Sequence, residues 1–471
     1  MKTYQDLVSL NQDEAKVKEF ILAAIQEHQS STEYKLAAKG EAYSRQENTT
    51  ILRYEKMLYT VSGRAIPDTI SANHKLPSNF YNRFNVQENQ YLLGNGVTFN
   101  EEGTKDKLGT KKKAFDTQVQ KIGKKALTQG EAFGFFNLDH IEVFELLEFV
   151  PLYDEEDGAL KSGIRWWQID KTKPLRATLY EMDGYTEFIK RPKDGKMEIY
   201  KPKRAYKLKV RSSEADGEEI YGGENYIGFP IVPLWGNQDH ICRIKAWQPK
   251  IDCYDLIESG FANDVDDASL IYWAIENAGG MDDVDLAQFI QRLKTVHAAV
   301  MSEDGAKAVP HTQDVPVEAR KTYLELLEKD LYKDAMALDT EAIAQGNTVA
   351  TAIRAAYEPL NAKTDDFEYC VIEFIQNVLE LAGIDDEPTF KRSMIVNQAE
   401  ETNMVLAAAQ YLDNESILKH LPFISPDEID SILDNLTREE ANRFDNEEDV
   451  EDGQGEETDG QATGEDGEEG R

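Results

Sequence analysis

Apolar residues recur every three or four positions in the N-terminal part of the chain, which is the spacing of one face of a helix. Residues 12–27 carry such a stripe, and residues 49–61 and 112–128 repeat it. The stripe in 49–61 consists of Ile51, Leu52, Tyr54, Leu58 and Tyr59. A further helix, beginning in "LPSNFYNRF", is stopped by Gly94 before a short strand. These patterns predict four amphipathic helices in this part of the chain.

The period then changes to that of strands. Short aromatic and β-branched runs follow one another as "EAFGFFNLD", "VFELLEFVPLYD", "GIRWWQID", "RATLYEMDG", "YTEFIKRP", "MEIYKPKRAYKLKVR" and "GFPIVPLW". Turn-forming pairs such as Asp157-Gly158 and Asp183-Gly184 lie between them. This alternation of runs and turns predicts an antiparallel meander that packs against the preceding helices.

From residue 247 the pattern is helical again. Pro249 suits the first position of a helix, which we predict over residues 247–267. A compact insert, residues 268–316, follows with the strand "SLIYWAIEN", a helix over residues 284–294, and the strands "HAAVMS" and "KAVPHTQDV". A second helix is predicted over residues 317–338 because its leucines lie three or four apart.

Residues 339–350 then interrupt the helical pattern with small polar side chains, among them Gln345, Gly346 and Asn347. The break is longer than the roughly two to eight residues of a simple connection between helices. Gly346 gives it a point of conformational freedom. A long helix is predicted over residues 351–381, and a final helical part rich in Ala and Leu over residues 387–442.

Composition and charge narrow the class of protein. A chain of 471 residues that is 41% hydrophobic can bury a large core, and its fold class is α+β. Its net charge of -36 repels nucleic-acid phosphates. Three scattered cysteines favour neither a disulfide framework nor a metal site, and no signal peptide or membrane span is expected, so we predict a cytoplasmic protein. Residues 446–471 are acidic and almost without apolar side chains, which predicts a disordered tail.

No sequence motif for catalysis is present. The chain lacks a P-loop, an HExxH pair, a Rossmann glycine fingerprint and a GxSxG elbow. The best candidates for a divalent-metal site are two acidic groups, one of Asp264, Asp266 and Asp267 and one of Asp282, Asp283 and Asp285. The second group equally suits the N-terminus of the helix that begins at Val284. We therefore predict no metal, no cofactor and no enzymatic activity, with a metal-dependent nuclease or hydrolase as the alternative.

Two basic stretches stand out against the acidic background. They begin at Lys105 and Lys190, and Tyr200 and Tyr206 interleave with the cations of the second. The simplest interpretation is an exposed surface that balances the acidic chain. A contact surface for a partner or a nucleic acid is the alternative.

The string "TYLELLEKDLYKDAMALDTEAIAQGNTVATAIRAAYEPLNAKTDDFE" resembles the region around the tunnel loop in the portal proteins of long-tailed bacteriophages that infect Gram-positive bacteria. "YLLGNGVTF" and "GFPIVPLWGN" also resemble recurrent stretches of that family. The similarity spans about residues 35 to 440, and the order of elements supports it. Portal proteins of this family form a ring, usually dodecameric, at one capsid vertex, where DNA is packaged and later ejected.

The resemblance implies a division of the chain into parts. These are a wing (1–246), a first stem helix (247–267), a clip (268–316), a second stem helix (317–338), a tunnel loop (339–350), a long wing helix (351–386), a crown (387–445) and the acidic tail (446–471).

The resemblance also implies functional residues by their position. The tunnel-loop residues are Thr340, Gln345, Gly346, Asn347 and Thr348. The stem residues that face the channel lumen are Glu325, Glu328, Lys329 and Lys333. The clip residues that dock the motor and the adaptor are Asp282, Asp283, Asp285, Arg292 and Lys294.

The partners implied by the resemblance are other copies of the chain in a ring, dodecameric as in the family, and the proteins of a phage head. They include the terminase large subunit, the major capsid and scaffolding proteins, a head-completion adaptor, and double-stranded DNA that passes through the channel without sequence specificity; no membrane is involved. The expected location is the portal vertex of the virion, and the host cytoplasm during assembly. An acidic scaffold that holds basic partners through its tail is a further alternative.

Overall fold

The structure is a computed structural model that describes residues 2–11, 13–59, 63–69, 71–192, 195–213, 217–268, 272–276, 284, 288, 291, 307–311, 315–341, 350–393, 402, 405–421, 424, 429 and 431–438. It divides into two compact units. The larger comprises Met1–Gly346 and Ala356–Met394, and the smaller comprises Asn347–Ala355 and Ile395–Arg471.

Helices and antiparallel strands both contribute to the fold, as the predicted α+β class requires. The helices are α1 (Tyr4–Val8), α2 (Glu14–Ser30), α3 (Thr32–Ser44), α4 (Thr49–Leu52), α5 (Phe80–Leu93), α6 (Thr104–Leu108), α7 (Phe115–Gln129), α8 (Ile244–Ala268), α9 (Val317–Asp334), α10 (Ala350–Ala382) and α11 (Asn414–His420). A short 3-10 turn, Ala409–Tyr411, precedes α11.

The strands fall into small antiparallel sheets. They are β1 (Met57–Tyr59), β2 (Ala65–Pro67), β3 (Val97–Thr98), β4 (Glu131–Asn137), β5 (His140–Glu145), β6 (Phe149–Tyr153), β7 (Leu160–Trp167), β8 (Leu175–Glu181), β9 (Gly184–Lys190), β10 (Met197–Arg204), β11 (Lys207–Ser213), β12 (Gly217–Glu224), β13 (Ile231–Trp235), β14 (Tyr272–Glu276), β15 (Lys307–His311) and β16 (Thr389–Phe390).

The predicted meander is confirmed in part. Strands β6 to β10 form a five-stranded sheet in which each strand pairs with the next along the chain. Strand β13 instead returns to pair with β4, which also pairs with β5, so these three strands form a second sheet. Both sheets pack on the preceding helices, because α2 contacts β6, β7 and β10 while α7 contacts β4, β5 and β13.

The main core lies between α7, the three-stranded sheet and α10. Phe133 and Phe144 from the sheet and Phe374 from α10 are buried there. The packing leaves no room for one more carbon atom, since a Cβ on Gly134 would lie 2.6 Å from the Phe374 ring. The C-terminal long helix is therefore an integral part of the N-terminal sheet layer.

The helix predicted over residues 49–61 is wrong beyond its first turn. Helix α4 stops at Leu52, and the chain continues into β1, which pairs antiparallel with β2. Of the predicted stripe only Ile51 is fully buried. A short apolar run cannot be assigned to helix or strand from its spacing alone, and here the hairpin partner decides.

The boundaries of the two later helices also differ from the prediction. Helix α8 begins at Ile244, so Pro249 lies inside the helix and not at its first position. Helix α9 ends at Asp334, because Met336 adopts a left-handed conformation with φ of 47°. Leu338 is nevertheless buried, and its backbone exchanges two hydrogen bonds of 2.9 Å with the Gln87 side chain.

The region predicted to be helical from residue 387 begins with a strand. Thr389 and Phe390 of β16 pair with Thr98 and Val97 of β3, so this segment completes a sheet that the N-terminal part starts. Within the predicted helix 284–294, the structure describes three residues, Val284, Gln288 and Gln291, and all three are helical and exposed. The predicted strand 297–302 and the tail 446–471 lie outside the described residues.

A buried carboxyl in the three-stranded sheet predicts a pH dependence. Burial raises the pKa of Glu131 from 4.5 to about 8, although a hydrogen bond from Tyr153 opposes the shift. The folded state therefore holds this proton more tightly than the unfolded state does. The stability that neutral Glu131 contributes is complete below about pH 4.5 and is lost as the pH rises towards about 8.

We expect the Tm of the wild-type protein to fall relative to that of Glu131→Gln between about pH 5 and pH 8, as measured by calorimetry. Glu41→Gln is the matched control. Burial raises the pKa of Glu41, but bonds from Gln129 and Lys125 leave it below its usual value. Its difference from wild type should therefore stay constant over the same range. Parallel Tm curves for wild type and Glu131→Gln would contradict the prediction.

Candidate functional site

Helices α8 and α9 pack against each other as an antiparallel pair. Near one end the Lys250 ammonium lies 2.5 Å from the Asp334 carboxylate, and near the other end Arg320 pairs with Asp264. Ile251 of α8 and Leu331 of α9 are buried in one apolar cluster. Ion pairs join the two helices towards both ends, and buried apolar side chains pack between them at one end. These contacts together hold the two helices in register.

The base of the helix pair is an aromatic cluster on α5. Phe80 meets Tyr254 of α8 edge-on at 5.0 Å between ring centroids, and Phe84 meets Trp247 at 5.6 Å. Tyr332 of α9 completes the cluster and accepts a 2.8 Å hydrogen bond from Arg83. Edge-on contacts of this kind add to the free energy gained by burial.

Below the first turn of α8 lies a buried cluster of charges. Glu88 of α5 is fully buried and contacts Arg243, next to the start of α8, and Lys363 of α10, the latter at 2.8 Å. Burial lowers the pKa of Lys363, and the Glu88 carboxylate opposes this. Removal of one partner from such a cluster leaves an uncompensated buried charge, so the cluster ties three distant segments together.

A polar stripe on α8 binds an extended segment, residues 74–78, which we call the strap. The backbone N–H groups of His74, Leu76 and Ser78 donate to side-chain oxygens of Asn263, Ser259 and Asp255, at 2.6, 3.0 and 2.9 Å. Alternate N–H groups of the strap thus meet helix residues that are four apart. All three acceptors are almost fully buried.

The same face of α8 also holds the turn that contains α4. Asp255 accepts from the Asn48 amide, and Asp252 accepts a 2.7 Å hydrogen bond from the Thr50 hydroxyl. Burial raises the pKa of Asp255, and the hydrogen bonds from Asn48 and Ser78 oppose this rise. Asp, Ser and Asn at every fourth position of α8 form a stripe that is readable in the sequence, but the sequence analysis did not single it out.

Three of the four predicted lumen residues lie together. Glu325, Lys329 and Lys333 are spaced four apart on one solvent-exposed face of α9. Glu328 lies on another side of the helix and is half-buried. Partial burial raises the pKa of Glu328, and the Arg83 guanidinium opposes this.

Most of the predicted loop and clip residues lie outside the described residues. Thr340 is exposed and begins a short helical turn, in which Asp339 accepts a hydrogen bond from the Glu341 backbone. The undescribed loop residues are Gln345, Gly346, Asn347 and Thr348. The undescribed clip residues are Asp282, Asp283, Asp285, Arg292 and Lys294.

Two acidic residues near the end of α8 have side-chain partners. Asp264 pairs with Arg320, and Asp266 lies 3.4 Å from His74 Nε2. Within the described residues, no group of three or more His, Cys, Asp or Glu side chains is arranged to hold a metal ion. In the same part of the chain, no helix combines the length and the apolar character needed to cross a bilayer.

Several cations of the second basic stretch pair with carboxylates on other strands of the same sheet. Lys201 and Arg204 of β10 both contact Glu187 of β9, at 3.0 and 2.6 Å. Lys203 similarly contacts Glu181 at 3.0 Å. These three cations are therefore paired with acids of the same chain.

Loss of one hydrogen bond between the strap and α8 should destabilise the strap locally. Asn263→Leu removes the acceptor of the His74 N–H at a buried position, which should lower the free energy of unfolding by about 1–3 kcal/mol. Hydrogen exchange of the strap should accelerate, as measured by mass spectrometry. Asn263→Asp keeps the acceptor oxygen and is the matched control. Equal exchange rates in the two variants would show that this bond does not hold the strap.

Comparison with known proteins places this architecture in a family. Residues 41–453 match the family described as phage portal protein, SPP1 Gp6-like. The portal protein of Clostridium phage phiCD119 is 27% identical over 216 residues, which are 44% of this chain and 48% of that protein. The portal protein of Bacillus phage SPP1 is 24% identical over 346 residues, 69% of this chain and 65% of that protein. The chain therefore spans about half to two thirds of the length of these relatives.

Solved structures with a similar chain come from gene transfer agent particles. A chain in the neck of the empty particle, computed with C6 symmetry, has 12% sequence identity and a TM-score of 0.46 and covers 74% of this chain and 91% of its own length. A chain in the virion of the native particle has 12% identity and a TM-score of 0.45, with coverage of 74% and 90%. The family match covers most of the sequence and confirms the resemblance seen in it, so the chain belongs to the SPP1 Gp6-like family of phage portal proteins.

Proposed function

We propose that this chain forms a ring-shaped channel at one vertex of a phage capsid, through which double-stranded DNA is packaged and later ejected. The observation that carries the proposal is the family match over residues 41–453, which includes both helices of the α8–α9 pair. The chain acts in the virion as a structural component without catalytic activity.

The helix pair suits the wall of such a channel. It is held rigidly at its base, and Glu325, Lys329 and Lys333 present a charged outer face. Six basic and eleven acidic residues give α8 and α9 together a net charge of -5. Glu325, Lys329 and Lys333 themselves carry one negative and two positive charges, so it is the acidic excess of the whole pair that weakens attraction to the phosphate backbone. Each tight cation contact with DNA would release counterions and would have to be broken at every step.

The remaining parts take the roles that the family resemblance implies. The insert between α8 and α9 docks the terminase motor during packaging and a head-completion adaptor afterwards. The loop over residues 339–350 projects into the channel. The major capsid and scaffolding proteins contact the outside of the ring during assembly in the host cytoplasm.

Electron microscopy of the purified chain in negative stain tests the ring. We expect annular particles with a central hole. A variant that ends at Asp445 should form the same rings, because the acidic tail has almost no apolar surface to bury at an interface. Compact particles of monomer size at assembly concentrations would contradict the proposal, and loss of rings only on truncation would place the assembly surface in the tail.

If the loop over residues 339–350 moves during packaging, a substitution in it should impair packaging of DNA without affecting assembly of the ring. Gly346→Pro removes the conformational freedom of the loop, so packaged DNA per particle should fall while ring formation stays unchanged. Gly346→Ala restricts the backbone less and is the control. Packaging yield is measured as the ratio of filled to empty capsids. Equal yields for Gly346→Pro and wild type would argue against a moving loop at this position.

A further inference from the structure

Strands β1 and β2, which we call the arm, form an apolar hairpin that is exposed on both faces. All six strand residues are exposed, and Tyr59 retains 76% of its accessible surface. Because side chains alternate along a strand, Leu58 lies on one face while Met57 and Tyr59 lie on the other. A two-stranded hairpin is marginally stable in water on its own, and contiguous exposed apolar surface marks an interaction site.

The arm is held firmly at its base. The strap that follows it is bonded to α8 at three places, and Asn48 and Thr50 before it bind Asp255 and Asp252 of the same helix. In addition, Lys75 Nζ donates a 2.7 Å hydrogen bond to the Leu52 carbonyl. A hairpin fixed at both ends loses less conformational entropy on binding than a free segment would.

A second apolar surface lies elsewhere on the same helix pair. A groove of about 440 Å³ is lined by Leu256, Ile257, Gly260, Ala319, Arg320 and Tyr323. Its floor is open at Gly260, where an added Cβ would meet no atom within 4 Å. Tyr323 at its edge is 47% exposed, and the neighbouring Leu326 is 55% exposed.

The arm and the groove occupy different sides of α8. Asp255, Ser259 and Asn263 hold the strap, whereas Leu256 and Gly260 are turned away from that stripe by the 100° step of the helix. One chain therefore presents an apolar projection on one side and an apolar recess on another. This is the arrangement that a heterologous, head-to-tail contact requires.

The net charge of the arm segment is opposite to that of the helix pair. Residues 53–67 contain three basic residues and one acidic residue, in a chain whose net charge is -36. The helix pair that carries the groove has an excess of acidic residues. The groove lining itself contains one charged residue, Arg320, so the opposite charges act at longer range: attraction between the net-basic arm and the net-acidic helix pair favours this pairing over arm against arm.

We propose that the arm of each copy docks into the α8–α9 groove of the next copy around the ring. The occupant of the groove is thus a second copy of this chain. The inference rests on the ring proposed above and adds to it the specific surfaces that join neighbouring subunits. The rigid strap sets the angle at which each arm reaches its neighbour.

The first test removes the apolar character of the arm in the full-length chain. In Leu58→Ser/Tyr59→Ser, the protein concentration at which half of the chains are in rings should rise about tenfold or more, as measured by mass photometry. Ile169→Ser/Ile227→Ser replaces two residues that are 88% and 94% exposed outside the arm, and should leave this concentration unchanged. An unchanged concentration in the arm variant would overturn the inference.

The second test identifies the contact directly and does not depend on how strongly the arm binds. In a Cys253→Ser background, Tyr59→Cys combined with Tyr323→Cys should give a ladder of cross-linked chains on treatment with a thiol oxidant. Neither single-cysteine variant should do so. A ladder from Tyr59→Cys alone would indicate contact between arms and overturn the inference.

Docking of the arm and formation of the channel can be disproved independently of each other. Rings of the double-cysteine variant that give no ladder would overturn the docking of the arm and leave the channel function standing. Absence of rings in the wild-type chain would overturn the channel function itself. A hairpin that served only the fold would instead show a lowered Tm in Leu58→Ser/Tyr59→Ser with unchanged assembly of the folded fraction.

Discussion

The buried carboxylate of Glu88 binds two cations that reach it from distant parts of the chain. Arg243 lies just before α8 and Lys363 lies in α10, so the cluster fixes the start of α8 to the core that α10 shares with the three-stranded sheet. Since the charges are buried, the cluster is stable only when all three partners are in place. The direction in which α8 leaves the core is thereby fixed, and the remaining parts of the proposed site are arranged around that helix.

Helix α8 serves three neighbours at once. One face packs on the aromatic cluster of α5 and on α9, a second binds the strap, and a third lines the open groove. In the proposed ring, this division places packing onto the core, support of the arm and reception of the neighbouring arm on separate surfaces of one helix, while the predicted lumen residues lie on α9. A rigid rod is suited to a channel wall, because force from moving DNA must not change the angle between subunits.

Three backbone hydrogen bonds join the strap to α8, and they have a physical consequence. The strap is an extended segment whose N–H groups would otherwise be buried without acceptors next to α8. Side chains of α8 satisfy them one by one, which fixes the register of the strap along the helix. The position of the arm is then set to within one residue, whereas an apolar contact would allow it to slide.

Local spacing in the sequence determined the positions of α2, α5, α7, α8, α9 and α10, because a helix depends on contacts between residues three and four apart. It also determined the family, through strings that surround the polar break at residues 339–350. Only the tertiary structure decided that residues 57–59 form a strand, that β13 and β16 pair with β4 and β3, and that Glu328 faces Arg83 while Glu325 faces outward. Each of these depends on a partner outside the segment itself, and the pattern of a single segment does not encode where that partner lies.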